Sequence, residues 1–350
     1  MAEHPTAMGG SMLVRHGKEA AATWIRETGS HLTGFAGAFH TGSTAWAQDD
    51  DVLPPTSDVD VMVVHHGPTA PAKGGKFRYG GTLLEVSFMP MDALASAESV
   101  LRDYHLAGCF RSPTVIADPS GHLTRLQHQV AAAFAQRRWV SARGNQAMNR
   151  VRAWLARMRE SDPLAEQATA WLFGTGVTTH VLLVAGLRNP TVRRRYAAVR
   201  ELLAEHGQLD YHERLLDLLG CARLTRAQVE HQLERLEAVF AVATQVQAPS
   251  YPFDSDITET ARPTTIEGSR ELIADGQHRE AVFWIVASYC RCLSKLSAAG
   301  VATSSYEPGL RALLADLGAA TFHERRRRAD RTEAALPELW RRAEQLMPTS

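Results

Sequence analysis

A change of texture near residue 120 divides the sequence into two unlike parts. Before it, short runs of β-branched and apolar residues alternate with turns; after it, apolar residues recur at helical three- and four-residue spacing. In the first part a helix around 17–26 leads into strand-like runs at 35–40, 59–64 and 82–89, with a hairpin signature at 76–79 between two glycine pairs. A helical stretch at 92–103 and a short strand at 114–117 follow, closed by the turn Asp118-Pro119-Ser120-Gly121. In the second part, Leu123, Leu126, Val130 and Phe134 begin a series of periodic stretches. It continues through Leu155 and Met158, Trp171 and Leu172, 181–187, 196–203, 215–219 and 229–239. A Pro/Asp/Thr-rich loop at 248–263 interrupts it, and helices are expected again at 266–273, 280–296, 309–317 and 336–346. The expectation is an α+β chain: a mixed-sheet domain over 1–121, then an all-helical domain over 122–350 that forms the other wall of a substrate cleft.

Composition narrows the class. A hydrophobic content of 45% supports a sizeable core, and a formal net charge of zero argues against a dedicated polyanion binder, so nucleic acid is not an expected partner. Cys109, Cys221, Cys290 and Cys292 show neither a C-x-x-C pair nor zinc-ligand spacing, and so few thiols in so long a chain point to reduced residues. The first residues, including Glu3, His4 and Pro5, lack the apolar core of a signal peptide. The apolar run 281–293 is too short to span a bilayer and contains Arg291. A cytoplasmic monomer or homodimer with no membrane contact is expected.

Chemistry concentrates in two segments. Thr41-Gly42-Ser43 follows the first strand, and after a loop comes Ser57-Asp58-Val59-Asp60 at the head of the second. Acids at i and i+2 of a strand project to one face, their Cα atoms ~6.6–7 Å apart. Burying both unpaired at the start of an apolar strand is costly, and a shared divalent cation resolves that cost. Mg²⁺ suits one or two carboxylates completed by phosphate oxygens and water. Glu85 lies mid-strand among Leu84, Val86 and Phe88, where a poor strand former needs a task. It joins Asp58 and Asp60 if the two strands are neighbours. Gly42 lets the backbone approach a ligand, and free N–H groups with the Ser43 hydroxyl can donate to phosphate oxygens.

A strand, Gly-Ser, a loop, Asp-x-Asp opening a strand, then a strand with a central Glu: this order resembles the DNA polymerase β-like nucleotidyltransferase superfamily. The likeness is greatest to its small-molecule members, such as aminoglycoside and lincosamide nucleotidyltransferases, and covers roughly residues 33–92. The resemblance implies Asp58 and Asp60 as Mg²⁺ ligands and Glu85 as a third ligand, a base for the acceptor hydroxyl, or both. It implies Gly42 and Ser43 as phosphate holders, two Mg²⁺ ions in the ternary complex and a nucleoside triphosphate, ATP first, as co-substrate. Related enzymes bring a basic residue from the helical domain to the triphosphate, and Lys295 on the apolar helix 280–296 is the candidate. The implied reaction moves a nucleoside monophosphate to a hydroxyl of a small-molecule acceptor, an antibiotic among the options. The alternatives are a protein- or tRNA-modifying nucleotidyltransferase of antitoxin type and a non-catalytic nucleotide-binding regulator. Two features depart from the family: no basic residue follows Gly-Ser in Thr44-Ala45-Trp46-Ala47, and the loop to Asp58 is long, with Asp49-Asp50-Asp51 and Pro54-Pro55.

The remaining charged residues carry plainer expectations. Asp49–Asp51 read as a solvated loop, with an acidic lip for a cationic acceptor as the sharper option. Lys76 and Arg78 read as surface charges of the hairpin, and Arg193–Arg195 and Arg325–Arg328 as solvated helix faces or helix-end charges. Arg200 and His206 match a loose R-x-H spacing that chance supplies several times over in a chain with so many arginines and histidines. Trp284 and Tyr289 are core by default, and Asp92 is the reserve acid should Glu85 lie outside the site.

Overall fold

Alternation along the second strand decides how the sheet is covered. From β2 (Val59–His65), Val59, Val61 and Val63 enter one apolar cluster, while Met62 and Val64 enter another on the opposite face. The computed structural model describes residues 12–67 and 74–349. Glu3, His4 and Pro5, and Pro68 and Lys73 between the second and third strands, lie outside the described residues. The other strands are β1 (Phe35–His40), β3 (Gly75–Tyr79), β4 (Thr82–Pro90) and β5 (Val115–Ala117), in the order β3-β4-β2-β1-β5. Only β2 and β4 run parallel. The hairpin expected at 76–79 is β3–β4, turned by Gly80-Gly81 with φ of +56° and +82°. Two successive positive φ values match the right-handed twist of the paired strands and favour glycine at both positions.

Helix α1 (Val14–Glu27) covers one face of the sheet through Ala21, Trp24 and Ile25. Helices α2 (Ala97–Arg102) and α3 (His122–Ala133) cover the other, with Val100, Leu101, Leu123, Leu126 and Val130 against Phe39 and Phe110. By packing, α3 therefore belongs with the sheet. The segment read as one helix at 92–103 divides into a 3-10 turn at Met91–Leu94 and α2, because Ser96 caps the second piece by accepting from the Ser99 amide.

The rest is a helical bundle with its own large core: α4 (Arg137–Ala156), α5 (Leu164–Ala185), α6 (Arg195–Glu205), α7 (Leu209–Leu219), α8 (Arg226–Ala243), α9 (Gly268–Ala274), α10 (His278–Ala298), α11 (Glu307–Asp316) and α12 (Phe322–Leu346). Two of these outgrow their sequence signals. Helix α5 is apolar on every side, so it shows little helical period, and the sequence discloses it only as fragments around Trp171 and 181–187. It is long and apolar enough to cross a membrane, yet 89% of its most apolar window is buried among α4, α6, α10 and α12: it is a core helix. Helix α12 is one 25-residue helix started by a Thr321/Glu324 capping box, whereas only its second half, past Pro337, reads as periodic.

One arginine in each run departs from the expectation of a solvated face, while Arg194 and Arg327 are exposed as expected. Arg325 is buried and donates to the carbonyls of Ala319 and Ala320 at 2.8 and 2.9 Å. Arg195 is buried with its guanidinium over the Phe283 ring at 3.8 Å.

Candidate metal and nucleotide site

Strand pairing assembles the acids. In the parallel β2–β4 ladder Asp60 is the register partner of Glu85, so two residues 25 positions apart in sequence stand side by side on neighbouring strands. Asp58 precedes the strand by one residue and shares the face of Asp60. Carboxylate oxygens of Asp58, Asp60 and Glu85 all lie within 4.8 Å of one another. The reserve acid Asp92 sits exposed on the 3-10 turn after β4 and is not part of the cluster.

Gly42 explains how the cluster is roofed. Its φ is +56°, a left-handed conformation that favours glycine, and a Cβ there would collide with Oδ2 of Asp60. The turn is set by the Thr41 amide donating to the Asp60 carbonyl at 3.0 Å and by the Trp46 and Ala47 amides donating to the Ser43 carbonyl at 3.0 and 3.1 Å. Gly42 and Ser43 are exposed, so the turn presents backbone and hydroxyl beside the Asp60 carboxylate.

Lys76 is the residue that sequence reasoning misjudged. It is not a surface charge: its side chain is 7% exposed, and its ammonium pairs with both Asp58 and Glu85. The β3–β4 register places it opposite Glu85. Only the pairing of three strands reveals this, so no local pattern could have shown it. Arg78, its neighbour by two, reaches only the Gly81 carbonyl at 3.3 Å and remains an ordinary hairpin charge.

The electrostatics are unbalanced. Burial first, then the charges of Asp58 and Glu85, push the Asp60 carboxyl well above the usual carboxylate range, with Lys76 opposing. Burial works against the Lys76 charge, but Asp58, Glu85, Asp256 and Asp60 overcome it and hold the ammonium above its ordinary value. Three carboxylates gathered around the Lys76 ammonium supply hard oxygen donors at a spacing that fits a divalent cation. Burial, aided by Lys18, lowers the imidazole of the buried His40 to about 4, so it is neutral near pH 7. Behind Gly42, burial and then Asp60 push the Cys109 thiol up to about 12, which makes it an inert packing group.

The helical part approaches this site through a turn and a hydrogen bond, among other contacts. Thr56, in the loop before Asp58, donates to Glu271 of α9 at 2.7 Å. The 3-10 turn Asp254–Asp256 contacts β3, and Asp256 adds its charge to the field on Asp60 and Lys76. Lys295 holds that turn. Its buried ammonium donates to the Ile257 carbonyl at 2.7 Å and the Asp254 carbonyl at 3.3 Å, and pairs with the Asp254 carboxylate at 3.0 Å. With three acceptors for three donors it is a strut for the turn, and the structure does not bring it to the carboxylates.

Two other cations stand nearer to the site than expected. Arg111 lies over the Trp46 ring at 4.1 Å and donates to its carbonyl at 3.2 Å, so a guanidinium reaches the Gly-Ser turn from a distant segment although none follows it in sequence. Arg193, just before α6, is held below the usual arginine range by burial and by Arg194, while Asp58 and Glu271 act in the opposite sense.

No protein-family model matches the chain, and no curated protein matches it at a significant level. What stands is an N-terminal mixed sheet bearing three clustered acids, an arrangement compatible with a polymerase β-like fold.

Proposed function

We propose that the protein is a metal-dependent nucleotidyltransferase that moves a nucleoside monophosphate from a nucleoside triphosphate to a hydroxyl of a small acceptor. One observation carries this reading: three carboxylates within 4.8 Å on neighbouring parallel strands, with the backbone of Gly42 against one of them. Asp58, Asp60 and Glu85 would hold Mg²⁺, which when bound supplies charge neutralisation at phosphate oxygens. Gly42 and Ser43 would place the triphosphate, and the recess around Asp60 would limit water. The acceptor oxygen forms its bond to the α-phosphorus as the bond to pyrophosphate breaks. Glu85, on the strand nearer the helical turn, would take the hydroxyl proton. Labelled nucleoside triphosphates, Mg²⁺ and a mixed acceptor library test it: a product heavier by one nucleoside monophosphate, with pyrophosphate released, is expected. Lys76 favours a second reading, a nucleotide-binding regulator, since its ammonium already serves two of the acids. Metal-dependent binding of nucleotide with no pyrophosphate released over the whole acceptor panel would select that reading instead.

A further inference from the structure

Between α4, α5, α10 and the loop before α9 lies a cavity of about 790 Å³ that the site described above does not use. Its size is that of a small-molecule pocket. Aromatic rings occupy two of its walls. Trp154 and Phe173 pack at 5.3 Å between centroids on the α4/α5 side, and Tyr251 and Phe253 at 5.8 Å on the loop side. Phe253 remains 39% exposed. Arg157, Arg159 and Arg291 are balanced by Asp162, Glu166 and Glu307, so the lining carries no net formal charge. Two of these charges already have partners: Arg291 pairs with Asp256 at 3.0 Å, and Glu307 accepts from Thr303 at 3.2 Å.

One turn links the cavity to the carboxylate site. Arg291, which lies over the Phe253 ring at 4.2 Å, is the ion-pair partner of Asp256, whose charge acts on Asp60 and Lys76. Ser255 packs against Gly75, the residue before Lys76. The turn Asp254–Asp256 therefore has the cavity on one side and β3 on the other. Sheet order adds a direction. In β3-β4-β2-β1-β5 the carboxylates stand on or beside β4 and β2, the Gly42-Ser43 turn follows β1, and the Asp254–Asp256 turn, which stands between the cavity and the sheet, packs on β3. In sheet order the Gly42-Ser43 turn and the Asp254–Asp256 turn thus lie to opposite sides of the carboxylates. In-line displacement needs that arrangement of leaving pyrophosphate and incoming hydroxyl.

Resting on the nucleotidyltransferase reading, we propose that this cavity is the acceptor pocket and that the acceptor is a neutral, flat-ringed alcohol, not a polycation. Aromatic walls stack on ring faces, and a lining without net charge gives a polycation no advantage. The acidic loop offers none either. Asp49 pairs with Lys18 at 2.8 Å, Asp50 pairs with Arg15, and Asp51 accepts from the Gln48 amide at 2.7 Å, so α1 and the loop's own backbone already engage these carboxylates.

Binding measured without nucleotide or metal separates this pocket from the transfer reaction. Saturation-transfer NMR and calorimetry on the full chain would use 2-(2-naphthyl)ethanol as a neutral bicyclic alcohol, 2-deoxystreptamine as a cationic probe and adenosine as a nucleoside probe. The naphthyl alcohol should bind, Phe253→Ala should weaken it by about tenfold, and Phe253→Trp should restore it. Phe253 is exposed enough that neither change threatens the fold. Four results would overturn the pocket: no binding of the naphthyl alcohol at millimolar concentration, tighter binding of 2-deoxystreptamine, displacement by adenosine, or an equal Kd in Phe253→Ala. Probe binding in a protein that releases no pyrophosphate would retain the pocket and reject transfer. Transfer to an acceptor whose Kd ignores Phe253 would do the reverse.

Discussion

The sheet and the helical bundle treat buried charge in opposite ways. In the bundle, buried cations meet acceptors: Lys295 the carbonyls of Ile257 and Asp254, Arg143 those of Leu101 and Phe134, Arg325 those of Ala319 and Ala320. In the sheet, Asp58, Asp60 and Glu85 crowd together, with the Lys76 ammonium paired to Asp58 and Glu85, and Asp256 adds its charge to the field on Asp60. Charge that meets acceptors in this way is architecture, because hydrogen bonds replace part of what burial took from it. Crowded like charge is a standing cost, and under the proposed function a bound cation offsets it.

The sharpest way to break this contrast is to remove the clustered acids. Asp58→Ala and Asp60→Ala should each lower nucleotidyl transfer by at least about 10³-fold, since the charge stabilisation that a bound metal supplies is worth several kcal/mol. Asp60→Ala should also melt no lower than wild type in EDTA, because the lost carboxyl was one that burial and its neighbours opposed. Pyrophosphate release and thermal melting read the two effects. Near-normal turnover in either variant would remove the carboxylates from the chemistry.

Glu85→Gln comes next. Gln keeps the size and hydrogen-bonding capacity but loses charge and basicity. A fall of ~10²–10⁴ in turnover with unchanged nucleotide affinity is expected if Glu85 is the base. A shift of the Mg²⁺ dependence to higher concentration marks it as a ligand as well. Wild-type turnover at unchanged metal dependence would place the residue outside the site.

How far the sequence carries one toward this contrast depends on the range of the contacts. The two acids at i and i+2, the Gly-Ser turn and the mid-strand Glu85 are local patterns, and all of them were legible. So were the strand bounds of β1, because Phe35–His40 is a short apolar run between turns. The position of Lys76 was not, since it follows from β3 pairing with β4 and β4 with β2, and each pairing joins segments whose order the pattern leaves open. Lys295 failed for a related reason. A lysine on an apolar helix reads as a charge seeking water or phosphate, yet its acceptors are carbonyls of a proline- and aspartate-rich loop 38 to 41 residues upstream. Helices α5 and α12 hid their extent differently, one through uniform apolarity and the other through its run of arginines and Pro337.

Lys295→Met tests the matched side. The substitution leaves two carbonyls and the Asp254 carboxylate without their cation in a buried place. Breaking a buried pair from one end costs about 3–5 kcal/mol. Chemical denaturation should show that loss equally with Mg²⁺ and with EDTA, because no metal reaches the turn. A loss that Mg²⁺ reverses would mean that Lys295 serves the carboxylate site after all.

Lys76→Met makes the smallest change and separates the two regions most directly. The Lys76 ammonium pairs with Asp58 and Glu85, the same carboxylates a divalent ion would use, so lysine and metal compete for those groups. Methionine keeps much of the chain length and removes the competitor along with a like charge beside the ion. One charge at contact distance is worth roughly 1–4 kcal/mol between water and a protein surface, so Mn²⁺ should bind about tenfold more tightly, as read by paramagnetic resonance or calorimetry. Stability should respond differently from the bundle variant: lower than wild type in EDTA, where Asp58 and Glu85 have lost the Lys76 ammonium, and recovered on adding Mn²⁺. Metal rescue of Lys76→Met beside metal indifference of Lys295→Met is the signature of one lysine standing in a ligand site and the other in a wall. Equal metal affinity in wild type and Lys76→Met would show that the ammonium and the ion do not contend for the same oxygens, and the three acids would then be a salt-bridge cluster rather than a metal centre.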